Sequence, residues 1–306
     1  MSDAASVLVD GPWTHKFVSA NGARFHVAVL GDGPLVLLLH DFPQIWWAWR
    51  AQLVGLAAAG YRVAAVDLRG FGASDKPPKG YDTYTATSDA AAVIRSLGEE
   101  SAVVVGQGLG AWTAWAMPAL QPSVARAVGA LSMAHPVVMQ HAGRHDRAQR
   151  AALGLLVELQ WPFRPERSLV RDDSQVRGYL TSWSSPDGAW PTEDDITRYA
   201  AAVRLPFVAH SAAEYFRWIG RNQVRFDGPI LTRRLSAPIT VPVLHLHGAD
   251  DGLVLLSSLT GSDRFVHGPY TREVLPDVGH FLSEEAAEEV TAALARWLTG
   301  LGDPPG

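Results

Sequence analysis

The run Val103-Val104-Val105-Gly106-Gln107-Gly108-Leu109-Gly110-Ala111-Trp112 sets a glycine-rich turn between a β-branched strand and a helix. A strand-to-helix elbow of the form G-x-nucleophile-x-G lifts its middle residue out of both elements on a strained backbone and so exposes a reactive atom. Here the middle residue is Gly108, which has no side chain. Glycine enters a positive-φ turn without steric cost. The pattern therefore predicts an elbow that keeps its shape and lacks its nucleophile. The same glycines, Gly106-x-Gly108-x-x-Ala111, also fit a dinucleotide fingerprint, which needs an acidic residue about 20 positions on to hold the ribose. No acidic residue occurs between Glu100 and Asp146, and several strand-like runs precede the turn, so no dinucleotide or other cofactor is expected.

Other residues with chemical potential have plainer readings. His141 and His145 stand at i, i+4, a metal-chelating spacing, with no third ligand evident nearby; a surface pair is expected and no metal site. Arg164, Arg167 and Arg171 read as a solvated helix face. His245 and His247 share one strand face and read as packing at the sheet edge. Trp46, Trp47, Trp112, Trp161, Trp183 and Trp218 read mainly as packing, with some available to line an apolar pocket.

Apolar runs of strand length occur at 24–30, 35–40, 62–67, 102–106, 127–133, 241–248 and 271–276. Most lack alternation, as in strands buried on both faces of a parallel sheet. Helical patterns at 86–97, 110–120 and 284–299 separate several of them, which predicts a mostly parallel, doubly wound α/β core. Residues 135–235 break the rhythm. They are rich in Arg, Trp and Pro, look helical throughout, and read as an insertion between two core strands, leaving a core of 1–134 and 236–306. The 306 residues are 47% hydrophobic and 19% charged, with ample material for a core. A net charge of −5 offers no basic field for nucleic acid. With no cysteine, thiol catalysis, disulfides and Cys-ligated metals are excluded. No secretory pattern opens the chain and no apolar run approaches the roughly 18 residues of a membrane span, so a cytoplasmic protein is expected. The oligomeric state is not legible.

Four stretches taken together, "LLLHDFPQIWWAWR" (37–50), "DLRGFGASDKP" (67–77), "HLHGADDGLV" (245–254) and "LPDVGHF" (275–281), follow one another around the elbow in an order that resembles the α/β-hydrolase fold. The likeness is greatest to its epoxide hydrolase and haloalkane dehalogenase branch, in which a helical cap (here 135–235) covers the site. The resemblance implies a covalent ester on an elbow nucleophile, a late His that activates water and a late acid that orients it. Carried onto this chain, the His is His280, the acid Asp251 with Asp250 one position off, and the nucleophile position is Gly108. The backbone N–H groups around Phe42 and Leu109 are implied to hold the developing charge.

Several positions depart from that family's pattern. Asp41 replaces the glycine of its HGxP turn, and Leu109 replaces a Trp. Phe216 in "EYFRW" stands where a cap tyrosine would donate to an epoxide oxygen, and Tyr215 is one residue away. The expectation is therefore a degenerate, epoxide-hydrolase-like protein without the covalent mechanism. It would bind a small apolar molecule against Trp112, Tyr215, Phe216 and Asp41, or act as an interaction protein. The alternative is an active hydrolase of epoxides, esters or lactones, or a proton-transfer enzyme, whose His280–Asp251 pair activates water with no covalent intermediate. Asp41 itself reads first as a solvated or capping carboxylate.

Overall fold

The computed structural model describes residues 4–222 and 228–302. Among the described residues eight strands form one sheet: β1 (Thr14–Ala20), β2 (Ala23–Leu30), β3 (Leu35–Leu39), β4 (Arg62–Val66), β5 (Ala102–Gln107), β6 (Ala125–Leu131), β7 (Val243–Gly248) and β8 (Tyr270–Leu275). Their order is β1-β2-β4-β3-β5-β6-β7-β8. The first two pairings, β1–β2 and β2–β4, are antiparallel and the rest parallel. β3, β5 and β7 are buried along their whole length, which accounts for the unalternated Leu and Val runs of β3 and β5. β1, absent from the sequence reading, is an edge strand whose mostly exposed residues carry too little apolar signal.

Helices α1 (Arg50–Ala58), α2 (Thr83–Ser96) and α3 (Leu109–Leu120) link the first core strands. The chain between β6 and β7 carries α4 (Pro136–His145), α5 (Arg147–Ala152), α6 (Gly154–Val157), α7 (Arg164–Arg171), α8 (Ser174–Trp183), α9 (Glu193–Val203), α10 (Val208–Asn222) and α11 (Gly228–Leu235), with no strand among its described residues. After β8 come the short α12 (Leu282–Glu285) and α13 (Ala287–Gly300). α1 packs on α13 and α2 on α3, covering the sheet as two pairs. Among the described residues no helix is long and apolar enough to cross a membrane.

The strand order fixes where a site can form. From β3 the chain turns to β4 on one side, then returns to β5 on the other. Such a reversal leaves a crevice beyond the carboxyl ends of the two central strands. Asp41 lies just past the end of β3, and Gly108 just past the end of β5.

Candidate active site

The elbow has the expected shape. Gly108 sits at φ 51°, ψ −111°, between β5 and the first turn of α3. Its N–H bonds to Leu131 O at 3.0 Å, and its C=O accepts the Trp112 N–H at 2.9 Å, so the turn is tied at both ends. Gly110 lets α3 approach the end of β3, since a Cβ there would lie 2.1 Å from Leu39 O.

The space a side chain at 108 would use is occupied. An ideal Cβ built on Gly108 would fall 2.0 Å from Asp41 Oδ2. Asp41 is 3% exposed, so the expectation of a solvated carboxylate is corrected. The capping part of that reading has a counterpart, because Asp41 Oδ1 accepts the Leu109 N–H at 2.7 Å, at the start of α3. A helix N-terminus favours negative charge. Leu109's N–H, expected as a free donor for a developing oxyanion, is thus already engaged by a carboxylate.

The turn holding Asp41 is set by His40. Leu68 N–H donates to His40 Nε2 at 3.1 Å, which leaves Nδ1 to carry the proton that it donates to Asp41 O at 2.8 Å. Burial lowers the His40 pKa despite the opposing field of Asp67, so the ring stays neutral and keeps that tautomer. Phe42 is fully buried; its ring meets Tyr179 and Phe216 of the helical insertion, with centroids 5.2 and 5.4 Å away.

Carboxyl groups from two other chain segments converge on the His280 ring. Its Nδ1 lies 2.7 Å from Asp251 Oδ2, and its Nε2 lies 2.8 Å from Asp41 Oδ2. Asp251 Oδ1 in turn accepts the N–H groups of Leu253 and Val254, each at 2.8 Å. With a carboxylate against each ring nitrogen, both are donors and the ring is an imidazolium. Burial opposes that charge, but Asp251 and then Asp41 outweigh it and raise His280 to about 10. Asp250, the runner-up for the acid, accepts from Ser185 Oγ at 3.0 Å.

The loop bearing His280 is held by groups the sequence reading missed. Glu285 accepts the N–H of Gly279 and of Ser185, each at 2.9 Å, and of Phe281 at 2.8 Å. Ser132 Oγ donates to His280 O at 2.6 Å, and His280 N–H donates to Trp183 O at 2.9 Å. The only sequence hint was the acidic pair three residues after Phe281 in "GHFLSEEA".

A cavity of about 160 Å³ opens between the sheet and the helical insertion. Asp41, Gly108, Leu109 and Trp112 are on its core side; Met139, Gln140, Leu156, Phe216 and Ile219 close it from the insertion. The pocket candidates Asp41, Trp112 and Phe216 therefore meet there. Tyr215 does not line it. Its hydroxyl donates to Arg69 O at 3.2 Å, and its ring lines a separate space of about 20 Å³ beside Asp89.

The remaining sequence candidates scatter. His245 and His247 are buried on β7, an interior strand between β6 and β8 and not a sheet edge. Trp161 is 60% exposed, so it is not a core packing residue. Trp46 and Trp47 join Trp13 in an edge-to-face cluster. The rings of His141 and His145 lie 4.5 Å apart on an exposed face, and among the described residues no three His, Asp or Glu side chains are arranged to hold a metal ion.

Comparison with known proteins agrees with this architecture. Residues 34–287 match the model of the α/β-hydrolase fold. An epoxide hydrolase of Caballeronia sordidicola is 32% identical, with 92% of each chain covered. Epoxide hydrolase A of Mycobacterium tuberculosis is 29% identical over 95% of this chain and 99% of its own. Among solved structures, an epoxide hydrolase from an endophytic Streptomyces superposes with a TM-score of 0.81 at 30% identity, covering 95% of this chain and 97% of that one. The chain belongs to the α/β-hydrolase fold family, in its epoxide-hydrolase-like branch.

Proposed function

We propose that this protein is a working hydrolase of small, apolar, electrophilic substrates such as epoxides, with residues 135–235 serving as a cap over the site. One observation carries the reading: the buried His280 ring stands between the carboxyl groups of Asp41 and Asp251, and one of them lines an apolar cavity. A histidine that only filled core space would be satisfied by one acceptor. Burying a charged triad costs several kcal/mol per ion unless geometry and hydrogen bonds offset it. Here all four carboxylate oxygens are engaged, so the charged groups are kept in place beside a space for a ligand.

The similarity to epoxide hydrolases from two bacteria supports the same reading over that of a bare binding protein. His280, relieved of its proton, is the base that activates water; Asp251 orients it; Leu109 N–H steadies charge on the group it faces. Hydrolysis of a panel of epoxides, esters and lactones tests this. Turnover that falls by a factor of about 10² or more in His280→Ala is expected. A panel with no turnover would leave a ligand-binding protein instead, and turnover indifferent to His280→Ala would overturn the role given to His280.

A further inference from the structure

We infer that Asp41 is the nucleophile: its Oδ2 attacks a substrate carbon and carries the substrate as a covalent ester, the part that an elbow side chain at 108 would otherwise play. This rests on the hydrolase reading above and adds a chemical step to it.

The geometry places the carboxylate by space and not by sequence. Asp41 Oδ2 lies 2.0 Å from where a Cβ of residue 108 would begin, so it sits over the elbow although it is attached to the loop after β3. It faces the cavity that a substrate would enter. It contacts His280 Nε2 at 2.8 Å, the nitrogen not committed to Asp251. Oδ1, the oxygen that becomes the ester carbonyl, already accepts the Leu109 N–H at 2.7 Å. When water attacks Cγ of that ester, the negative charge develops on Oδ1. The donor is therefore aimed at the oxygen that needs it.

The steps balance for an epoxide. Asp41 Oδ2 forms a C–O bond as the ring C–O bond breaks, and the electron pair goes to the ring oxygen. Esterification removes the Asp41 charge that helped hold the His280 proton, so His280 releases it and, through solvent, the alkoxide takes it up. Neutral His280 then accepts a proton from a water molecule, whose oxygen attacks Asp41 Cγ. The tetrahedral adduct collapses, the diol departs with the original Oδ2, and its second hydroxyl takes the proton from His280. The carboxylic acid left on Asp41 contains the water's oxygen and its remaining proton, and it passes that proton to His280, so the carboxylate and the imidazolium are both restored. The neighbouring charge thus keeps His280 an acid before alkylation and makes it a base afterwards.

Single-turnover hydrolysis in heavy-oxygen water, with the full chain in excess over styrene oxide and a small panel of other aryl and alkyl epoxides, tests the step. The expected result is one heavy oxygen per turnover in the peptide bearing Asp41 and none in the diol. In His280→Gln, which keeps a donor but no base, the ester should persist as a mass increase of one substrate on that peptide. Asp41→Asn in the same background should abolish it. Heavy oxygen in the diol with none in the Asp41 peptide would overturn the covalent step and leave the hydrolase reading intact, with Asp41 only positioning His280. Label on a different carboxylate would overturn it as well. No diol from any substrate would overturn the hydrolase reading, and this step with it.

Discussion

Exchanging the carboxylate between the two loops is the sharpest physical test of the site. In Gly108→Asp, the new Cβ would arrive 2.0 Å from Asp41 Oδ2, far inside contact distance. Asp41 must then leave both its bond to Leu109 N–H and its pairing with His280. Hydrogen bonds to charged groups contribute about 1.5–3 kcal/mol each. A non-glycine residue at φ 51° adds about 1–3 kcal/mol of backbone strain. The single variant should therefore lose about 4 kcal/mol or more, a large part of a typical 5–15 kcal/mol stability. Asp41→Gly alone loses the two bonds but creates no clash. In the double exchange, Asp41→Gly with Gly108→Asp, the collision vanishes and a carboxylate returns to His280, leaving mainly the strain. Urea unfolding of the four proteins closes a double-mutant cycle, and a coupling of about 2 kcal/mol or more is expected. Additivity within about 0.5 kcal/mol, or a Gly108→Asp protein as stable as the parent, would show that Asp41 does not occupy the elbow's space.

Other expectations follow from the same contacts. His280 is held charged up to about 10, above the ordinary imidazole value near 6.5. The stabilisation from its pairing is thus fully present below about 6.5 and is lost as pH rises toward 10, on the order of a few kcal/mol in all. Unfolding curves across that range should show the decline, and Asp41→Asn should shrink it; a flat profile in the parent would contradict an imidazolium. Glu285→Ala strands three largely buried N–H donors on Gly279, Phe281 and Ser185, at about 1–3 kcal/mol each if no water replaces the carboxylate. Its melting point should drop and its turnover fall with it, whereas normal stability would mean the loop is held otherwise. Phe216→Tyr places a hydroxyl on the cavity wall, so it should speed epoxide opening about 10-fold or more by supplying a general acid. Equal acceleration of ester hydrolysis would argue for a change in packing instead.

What the sequence made legible divides along physical lines. The buried strands announced themselves because β3 and most of β5 are apolar on both faces, and β7 on one, where the other carries His245 and His247. The helical insertion showed as a long absence of strand pattern. His280 and Asp251 could be placed because their motifs are local: Gly248, Asp251 and the two N–H groups that Asp251 accepts lie within a few residues of one another. Asp41 could be noticed but not weighed. Its partners Leu109 and His280 are 68 and 239 residues away along the chain, and only the strand order brings all three to one crevice. The empty elbow and the unusual acid in "HDFP" were visible as two separate departures; that one fills the other is a fact of distance. Tyr215 and Phe216 are adjacent in sequence yet serve different spaces, because neighbours on a helix point about 100° apart.

The collision between positions 41 and 108 also constrains history. Two carboxylates cannot share that volume, so single substitutions cannot pass comfortably through a chain bearing both. One passage that avoids the collision runs through a chain with glycine at both places, which keeps the elbow's backbone and has no reacting oxygen of its own. A lineage crossing it would live for a time without its chemistry, or would borrow a small carboxylate from solution. The crest of β3 and the crest of β5 are then two addresses for one atom, and a survey of elbows that counts only the second would score such a lineage as silent after its reactivity had returned by the first.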